Sequence, residues 1–394
     1  MRFQTALQDL TTALNTVAPA MNMGASDLTG HFVFRKHPTD ATKIEVLTHE
    51  ADTEASCPFV GEILQDGPMF TAPGKGLMTF LAVLEDEHSD EMVIFDFDAA
   101  SATVKVTPAS NPKRAYPFES RDPNLYKWFD QSLKDAKSVG SLAAGRLKVA
   151  LTAAKGFMAS EETLNPAFTV CEFQEGLLRA TTGTSLLYVN IPGTEGATLR
   201  LQIKQHLAGA LSFLGASKTE NVEMLEVPDR MFFMRRVDGA VFGWTYYHNG
   251  LPLIAKPRET DDLYWKISAK ALKNGIKAVL AGAVGTDVRA IQFTRSSDTG
   301  PIYLKASTDG KHRSEWTIPC EESGGDLNNT PIDFWLTYDL LQSLLSALAS
   351  DEIHFGVNQK GKKGYVRVKD VRGEGAETDT FLFMLSWYQN AQRK

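Results

Sequence analysis

Cysteine is scarce in this chain: Cys57, Cys171 and Cys320 lie far apart, and no two form a CxxC pair. Each follows or sits in a strand-like run, which reads as a buried free thiol rather than a metal ligand. Long apolar stretches are missing too. None approaches the ~20 residues needed to cross a bilayer, and the N-terminus MRFQTALQDL lacks the apolar core of a secretory signal. The expected location is therefore the cytoplasm, with no membrane partner. An excess of basic charge is also absent. A formal net charge of −7 argues against a protein that coats nucleic acid with its whole surface, but it permits a local basic patch. What is present suits a soluble globular protein: 43% hydrophobic and 23% charged residues, in 394 residues that leave room for two to four domains.

The motifs of common enzymes are missing as well. There is no GxxxxGK[ST], no GxGxxG after a strand, no HExxH and no GxSxG. Ala72-Pro73-Gly74-Lys75-Gly76 lacks the second half of a phosphate-loop motif and reads better as a helix-entry turn. His49, Glu50, Asp52 and Cys57 form the one dense cluster of metal-type ligands. Their spacing matches no structural zinc pattern, and on an exposed turn such residues are ordinarily solvated. The eight histidines are scattered, with no partner fixed by spacing. The sequence points away from an enzyme, and no metal or cofactor is expected.

Repetition is what the chain does have. Phe334 to Val357 reads as a leucine-rich helix, an acidic turn and a strand: Leu340, Leu341, Leu344, Leu345 and Leu348 line one helical face, then Ile353, Phe355 and Val357 alternate. The same plan occurs at Phe70–Phe97 and at Leu201–Val227. The closing leucines Leu84, Leu214 and Leu348 stand 214−84 = 130 and 348−214 = 134 positions apart. That period exceeds solenoid repeats of roughly 20–50 residues and fits three copies of a small domain.

An earlier helix precedes each copy. Met1 to Pro19 carries Leu7, Leu10, Leu14 and Val17; residues 142–158 carry Leu147, Val149, Leu151 and Ala154; residues 264–283 carry Leu272, Ile276, Val279 and Leu280. Pro- and charge-rich texture between Pro108 and Asp130, and again over residues 249–262, marks the boundaries. The expected domains are 1–125, 126–256 and 257–394. Each has two helices over antiparallel sheets, an α+β plan.

Basic residues recur on these helices. Lys270, Lys273 and Lys277 share one face opposite Leu272, Ile276 and Val279. Arg146, Lys148 and Lys155 mark the matching helix of the second copy, and Lys204 opens that copy's other helix. On one isolated helix this is ordinarily a solvated face. Recurrence on equivalent helices supports a surface for phosphates without base readout. The first copy departs, since its first helix carries Asp9 and no lysine.

The ordered set of segments resembles the bacterial-type sliding clamp, the beta subunit of DNA polymerase III, over essentially the whole chain. FQTALQDLTTALNTVAPA looks like the family's opening helix and THEADTEASCPFVG like its "TDLE" strand pair. FTAPGKGLMTFLAVLED, LRATTGTSLLYVNIP, NGLPLI, DFWLTYDLLQSLLSALASDEIHF and FLFMLSWY look like later segments in the family's order. The resemblance implies a head-to-tail homodimer, a closed ring of six similar domains around double-stranded DNA, read without sequence preference. It implies a dimer contact through the second helix of the first domain, where Lys75, Phe80 and Leu84 match, although Phe80 and Leu84 read equally as core. It also implies a groove for peptide tails of a DNA polymerase and the clamp loader. Matching positions are Thr181, Gly183, Leu186, Pro252, Leu382, Met384 and Ser386.

Departures fall in that groove. Thr184-Ser185 replaces the family's His-Arg, and Met384-Leu385-Ser386-Trp387 replaces its Met-Pro-Met-Arg ending, with the chain running on to Lys394. Such drift would suit a phage or plasmid clamp with its own polymerase. The expected function is that of a processivity factor. The alternative is a clamp-like scaffold that binds partners without loading on DNA.

Overall fold

The computed structural model describes residues 1–50, 52–125, 130–159, 166–174, 176–192, 198–202, 206–215, 220–228, 231–245, 260–282, 290–295, 300–307, 313–325, 332–360, 363–373 and 378–388. Seven α-helices are seen among them: α1 (Leu7–Val17), α2 (Gly74–Glu87), α3 (Asp130–Asp135), α4 (Ala144–Lys155), α5 (His206–Gly215), α6 (Ala269–Ala281) and α7 (Tyr338–Ala347). The other regular elements are antiparallel strands and short 3-10 turns, so the chain is α+β. It divides into two compact units, Met1–Lys148 with Lys204–His248 and Val149–Ile203 with Asn249–Lys394.

One element order runs through the chain three times: strand, helix, strands, helix, strands. Its first half is headed by Arg2–Ala6 and α1, by Lys137–Ala143 and α4, and by Leu263–Ser268 and α6. These heading strands correct the expectation that the helical pattern begins the repeat. Alternation explains them: Phe3 and Thr5, and likewise Leu263, Trp265 and Ile267, are buried every second residue. A shared hydrogen bond then fixes the junction. The first helical N–H, an orphan donor at any helix start, donates to an acidic residue's carbonyl: Leu7 to Glu91 (2.9 Å), Ala144 to Glu220 (2.9 Å) and Ala269 to Asp351 (2.8 Å).

The second helices are also entered from strands, Phe70–Pro73 before α2 and Asp333–Thr337 before α7. The segment expected as helix–strand is therefore strand–helix–strand. The cap N–H of His88 donates to Leu84 O and that of Leu348 to Leu344 O. Leu344, rather than Leu348, thus occupies the place of Leu84.

In the first unit a five-stranded sheet runs Glu62–Gln65, Arg2–Ala6, Met92–Asp98, Thr103–Pro108, Tyr116–Glu119. An eight-stranded sheet runs Lys137–Ala143, Asn221–Val227, Met231–Arg236, Val241–Thr245, Thr53–Val60, Lys43–Glu50, His31–Lys36, Phe70–Pro73. Phenylalanines fill the space between them. Phe3 stacks on Phe95 at 4.8 Å, and Phe34 lies 5.1 Å from Phe95 and 5.3 Å from Phe70. The second unit holds a single 13-stranded sheet.

Successive repeats join by the same rule in each unit. Thr53–Val60 of the first repeat pairs with Val241–Thr245, the last strand of the second; Ser185–Asn190 of the second pairs with Asp379–Tyr388, the last strand of the third. Helices follow suit. α1 lies against α5, and Gly156, just past α4, lies against Ser343 of α7.

Candidate functional site

Three of the expected groove residues meet on one sheet face. Leu186 stands directly opposite Met384 and Tyr188 opposite Leu382, and residues opposite one another in an antiparallel pair project to the same side. Ser386 closes the strip, its N–H donating to Thr184 O at 3.0 Å. Leu186 is buried, whereas Leu382, Met384 and Ser386 are half-exposed. The turn before the strip is held from within. The Thr181 hydroxyl donates to Ser185 O (2.6 Å) and accepts from Gly183 N–H (2.9 Å). Gly183 has φ +89°, and a Cβ there would come within 2.8 Å of the Phe168 ring, so both backbone and space require glycine. Pro252 lies outside the described residues.

Beside the strip, Arg367 is opposite Met384 and Lys369 opposite Leu382. The Arg367 guanidinium donates to Asp261 (2.5 and 3.2 Å), which also accepts from Asn358 Nδ2 (2.6 Å) and lies 3.1 Å from His354 Nε2. Burial alone would raise the Asp261 carboxyl; the bonds from His354, Arg367 and Asn358 outweigh it and hold it below the usual range. Burial raises the Tyr188 phenol. The strip is thus an apolar surface with one edge bordered by the ionic network centred on Asp261, a lining suited to short apolar side chains.

The helix lysines divide. Lys270 and Lys277 are exposed, opposite buried Leu272, Ile276 and Val279. Lys273 is half-buried and donates to Leu348 O at 2.8 Å, so it holds the C-terminal end of α7. Arg146 and Lys148 are half-buried, with Lys148 Nζ beside Gly215 at the end of α5, and Lys155 is exposed. Val149, expected in the apolar stripe of α4, is 44% exposed. Lys204 lies outside the described residues.

At α2, Lys75 is exposed, Phe80 half-buried, and Leu84 buried in the unit's own core. Phe80 stacks on Tyr116 at 5.3 Å, and Tyr116 lies 4.9 Å from Phe118. With Lys75, Val83 and Arg114, Phe80 and Tyr116 line a concavity of about 630 Å³. Tyr116–Glu119 is the last strand of its sheet, and at 52% exposure Tyr116 leaves an apolar edge open. Arg313–Ile318 similarly ends the 13-stranded sheet, with Trp316 46% exposed against Gly275 of α6. Sequence reading took 314–318 as a strand-like run but missed the Tyr116 strand, whose signal was alternation in Tyr116-Pro117-Phe118, obscured because Pro117 suits only an edge strand.

Strand pairing places the described residues of the His49–Cys57 segment, and Asp52 lies 3.1 Å from His206 Nε2. Thr53–Val60 returns antiparallel, placing Cys57 opposite Val46 and Glu54 opposite His49. Burial pushes the Cys57 thiol up to about 12, so the thiolate is disfavoured.

No protein-family model matches the sequence, and no curated protein matches it. Solved structures do match. A DNA polymerase III subunit beta from Pseudomonas aeruginosa superposes with a TM-score of 0.77 at 14% identity, over 99% of this chain and 100% of that one. The beta sliding clamp of C. crescentus gives 0.79 at 13% identity, over 98% of each chain. The beta subunit from Thermotoga maritima gives 0.77 at 13%, over 99% and 100%. The chain therefore has the fold of the DNA polymerase III beta sliding clamps from end to end, at low identity.

Proposed function

We propose that this protein is a DNA polymerase processivity factor. Two copies join head to tail into a ring around duplex DNA, and the Leu186–Met384 strip receives peptide segments of the polymerase and the clamp loader. The three repeats serve as domains 1–125, 126–256 and 257–394. The fold supports a clamp-type function; the ring is argued from the repeats themselves.

One observation carries it: two rows of residues, continuous within each unit, stop at the free edges. Four residues after the junction acceptor, the rows run Met224, Met234, Phe242, Ala55 in one unit and Phe355, Val368, Phe383, Leu187 in the other. In the first repeat the row is Phe95, Val106, Tyr116, and there it ends. Phe242 and Phe383 are buried where Tyr116 is exposed. From the other side, Phe70, Phe34, Val46, Cys57 correspond to Phe334, Phe293, Leu304, Trp316, with Cys57 buried where Trp316 is open. Counting back two residues makes Ser314 the counterpart of Ala55. A second copy would continue both rows, with Ser314 opposite Tyr116 of the partner subunit. The contact is heterologous, and it closes when two copies each supply three repeats.

Exposed Lys155, Lys270 and Lys277 then provide diffuse, sequence-independent attraction to phosphates, without the tight binding that would impede sliding. An apolar strip with methionine suits a surface that accepts several peptides. Sedimentation tests the reading. The wild-type protein should run as a dimer, and Tyr116→Glu with Trp316→Glu should run as a folded monomer; a strict wild-type monomer at micromolar concentration contradicts the ring.

A further inference from the structure

The eight-stranded sheet has a face that none of these roles uses. Phe242 and Trp244 point toward α5, so Val241 and Gly243 point to the other side. There Leu225, Met231, Phe233 and Val241 form one apolar cluster, and Leu133 and Ala136 from α3 and its end pack against it. An ion pair latches this short segment. Arg35 donates to both oxygens of Asp130 (2.6 and 2.8 Å) and, through Nε, to Glu45 (2.7 Å). Glu45 is buried and accepts from Nε, separately from the two terminal nitrogens that meet Asp130, so it holds the guanidinium from a second side. A concavity of about 560 Å³ runs along the segment, lined among others by Arg35, Glu54, Asp130, Leu133, Phe233 and Val241.

The ladder rows identify this position. Three and five residues after the junction acceptor, one unit reads Glu223, Arg235, Val241, Ser56 and Leu225, Phe233, Gly243, Glu54. The other reads His354, Lys369, Leu382, Tyr188 and Gly356, Arg367, Met384, Leu186. Val241 and Gly243 are therefore the counterparts of Leu382 and Met384. The kinship with a partner groove rests on the proposed function; the packing of α3 does not.

We propose that residues 130–136 are a strap occupying, in cis, a second docking site, one that takes short amphipathic protein segments with a carboxylate three residues ahead of a leucine. The strap itself defines the chemistry: Asp130 on Arg35, Leu133 and Ala136 on the apolar cluster. Tethering gives the strap an effective concentration on the order of millimolar, so a free segment of equal quality does not displace it. A site of the right position is thus kept shut.

The test uses the full chain with Asp130→Ala and Leu133→Ser combined, and a fluorescein-labelled acetyl peptide of residues 130–137 (DQSLKDAK) as probe. Amide exchange at 130–136 should rise at least ~10-fold in the variant with the other strands unchanged, and fluorescence anisotropy should show saturable binding at least ~10-fold tighter than to wild type. A peptide lacking the aspartate and leucine should not bind. Faster strap exchange without tighter peptide binding overturns the site, and unchanged exchange overturns the latch. Should the double variant fail to fold, Asp130→Asn alone, which leaves Arg35 on Glu45, is judged by the same two outcomes. Neither readout needs DNA or a second copy, so failure here and failure of the ring are distinguishable.

Discussion

One buried carboxylate, Asp370, ties down the exit from α7 and can be tested alone. Asp370 accepts from Ala349 N–H (3.0 Å), Ser350 N–H (3.3 Å) and Arg372 (2.7 Å), while Arg372 also reaches Ala347 O, so the exit from α7 is held from one point. Burial would raise this carboxyl, but the hydrogen bonds from Ser350 and Ala349 and the Arg372 pair hold it below the usual range. A depressed folded pKa stabilises the protein fully above the unfolded value of ~3.9 and loses that stabilisation as pH falls through the folded value. Asp370→Asn should therefore cost about 3 kcal/mol at pH 7, read by denaturant melts. The gap from wild type should narrow in acid; a gap that does not change with pH contradicts the assignment. Gly183→Ala should cost about 1–2 kcal/mol through its left-handed backbone and also blunt peptide binding at the adjacent strip. Lys273 separates structure from function in the same way. Lys273→Ala should lower stability by about 1.5 kcal/mol, whereas Lys270→Ala and Lys277→Ala should stay within about 0.5 kcal/mol.

At the scale of elements, helices were legible and the strands that head them were not. Leucine spacing marks α1 and α6 because their buried faces repeat every three or four residues. The same window absorbed Arg2–Ala6 and Asp333–Thr337, whose two-residue alternation is too short to stand apart from a helix beginning directly after it. α3 is six residues long with one leucine, and such a segment has no periodicity to read. The groove is a different case. Leu186 and Met384 come from strands far apart in sequence, and nothing local in either says that they pair; only the ordered likeness to a clamp brought them together. Lys273 has the spacing of its exposed neighbours and differs only in what lies at the other end of its side chain. Edge strands yield the prediction proper to this scale. Trp316→Glu alone should weaken the proposed dimer at least ~10-fold while leaving the thermal midpoint of the monomeric fold nearly unchanged. An equal loss of both would place Trp316 in the core instead.

For the whole molecule, the proposed ring would make two kinds of contact with DNA, and they carry different predictions. Topological linkage depends on closure and not on charge, whereas attraction through Lys155, Lys270 and Lys277 depends on salt. Replacing those three by Glu should shorten residence on DNA and flatten its salt dependence without abolishing linkage. Tyr116→Arg should abolish linkage without altering the lysines. Met384→Asp should leave both intact and remove stimulation of the polymerase. The most direct measurement loads the protein onto nicked circular plasmid with its loader and then cuts the plasmid once. Retention on the circle through gel filtration and release on linearisation is the predicted result. Equal retention, or equal loss, on circular and linear DNA would contradict the ring.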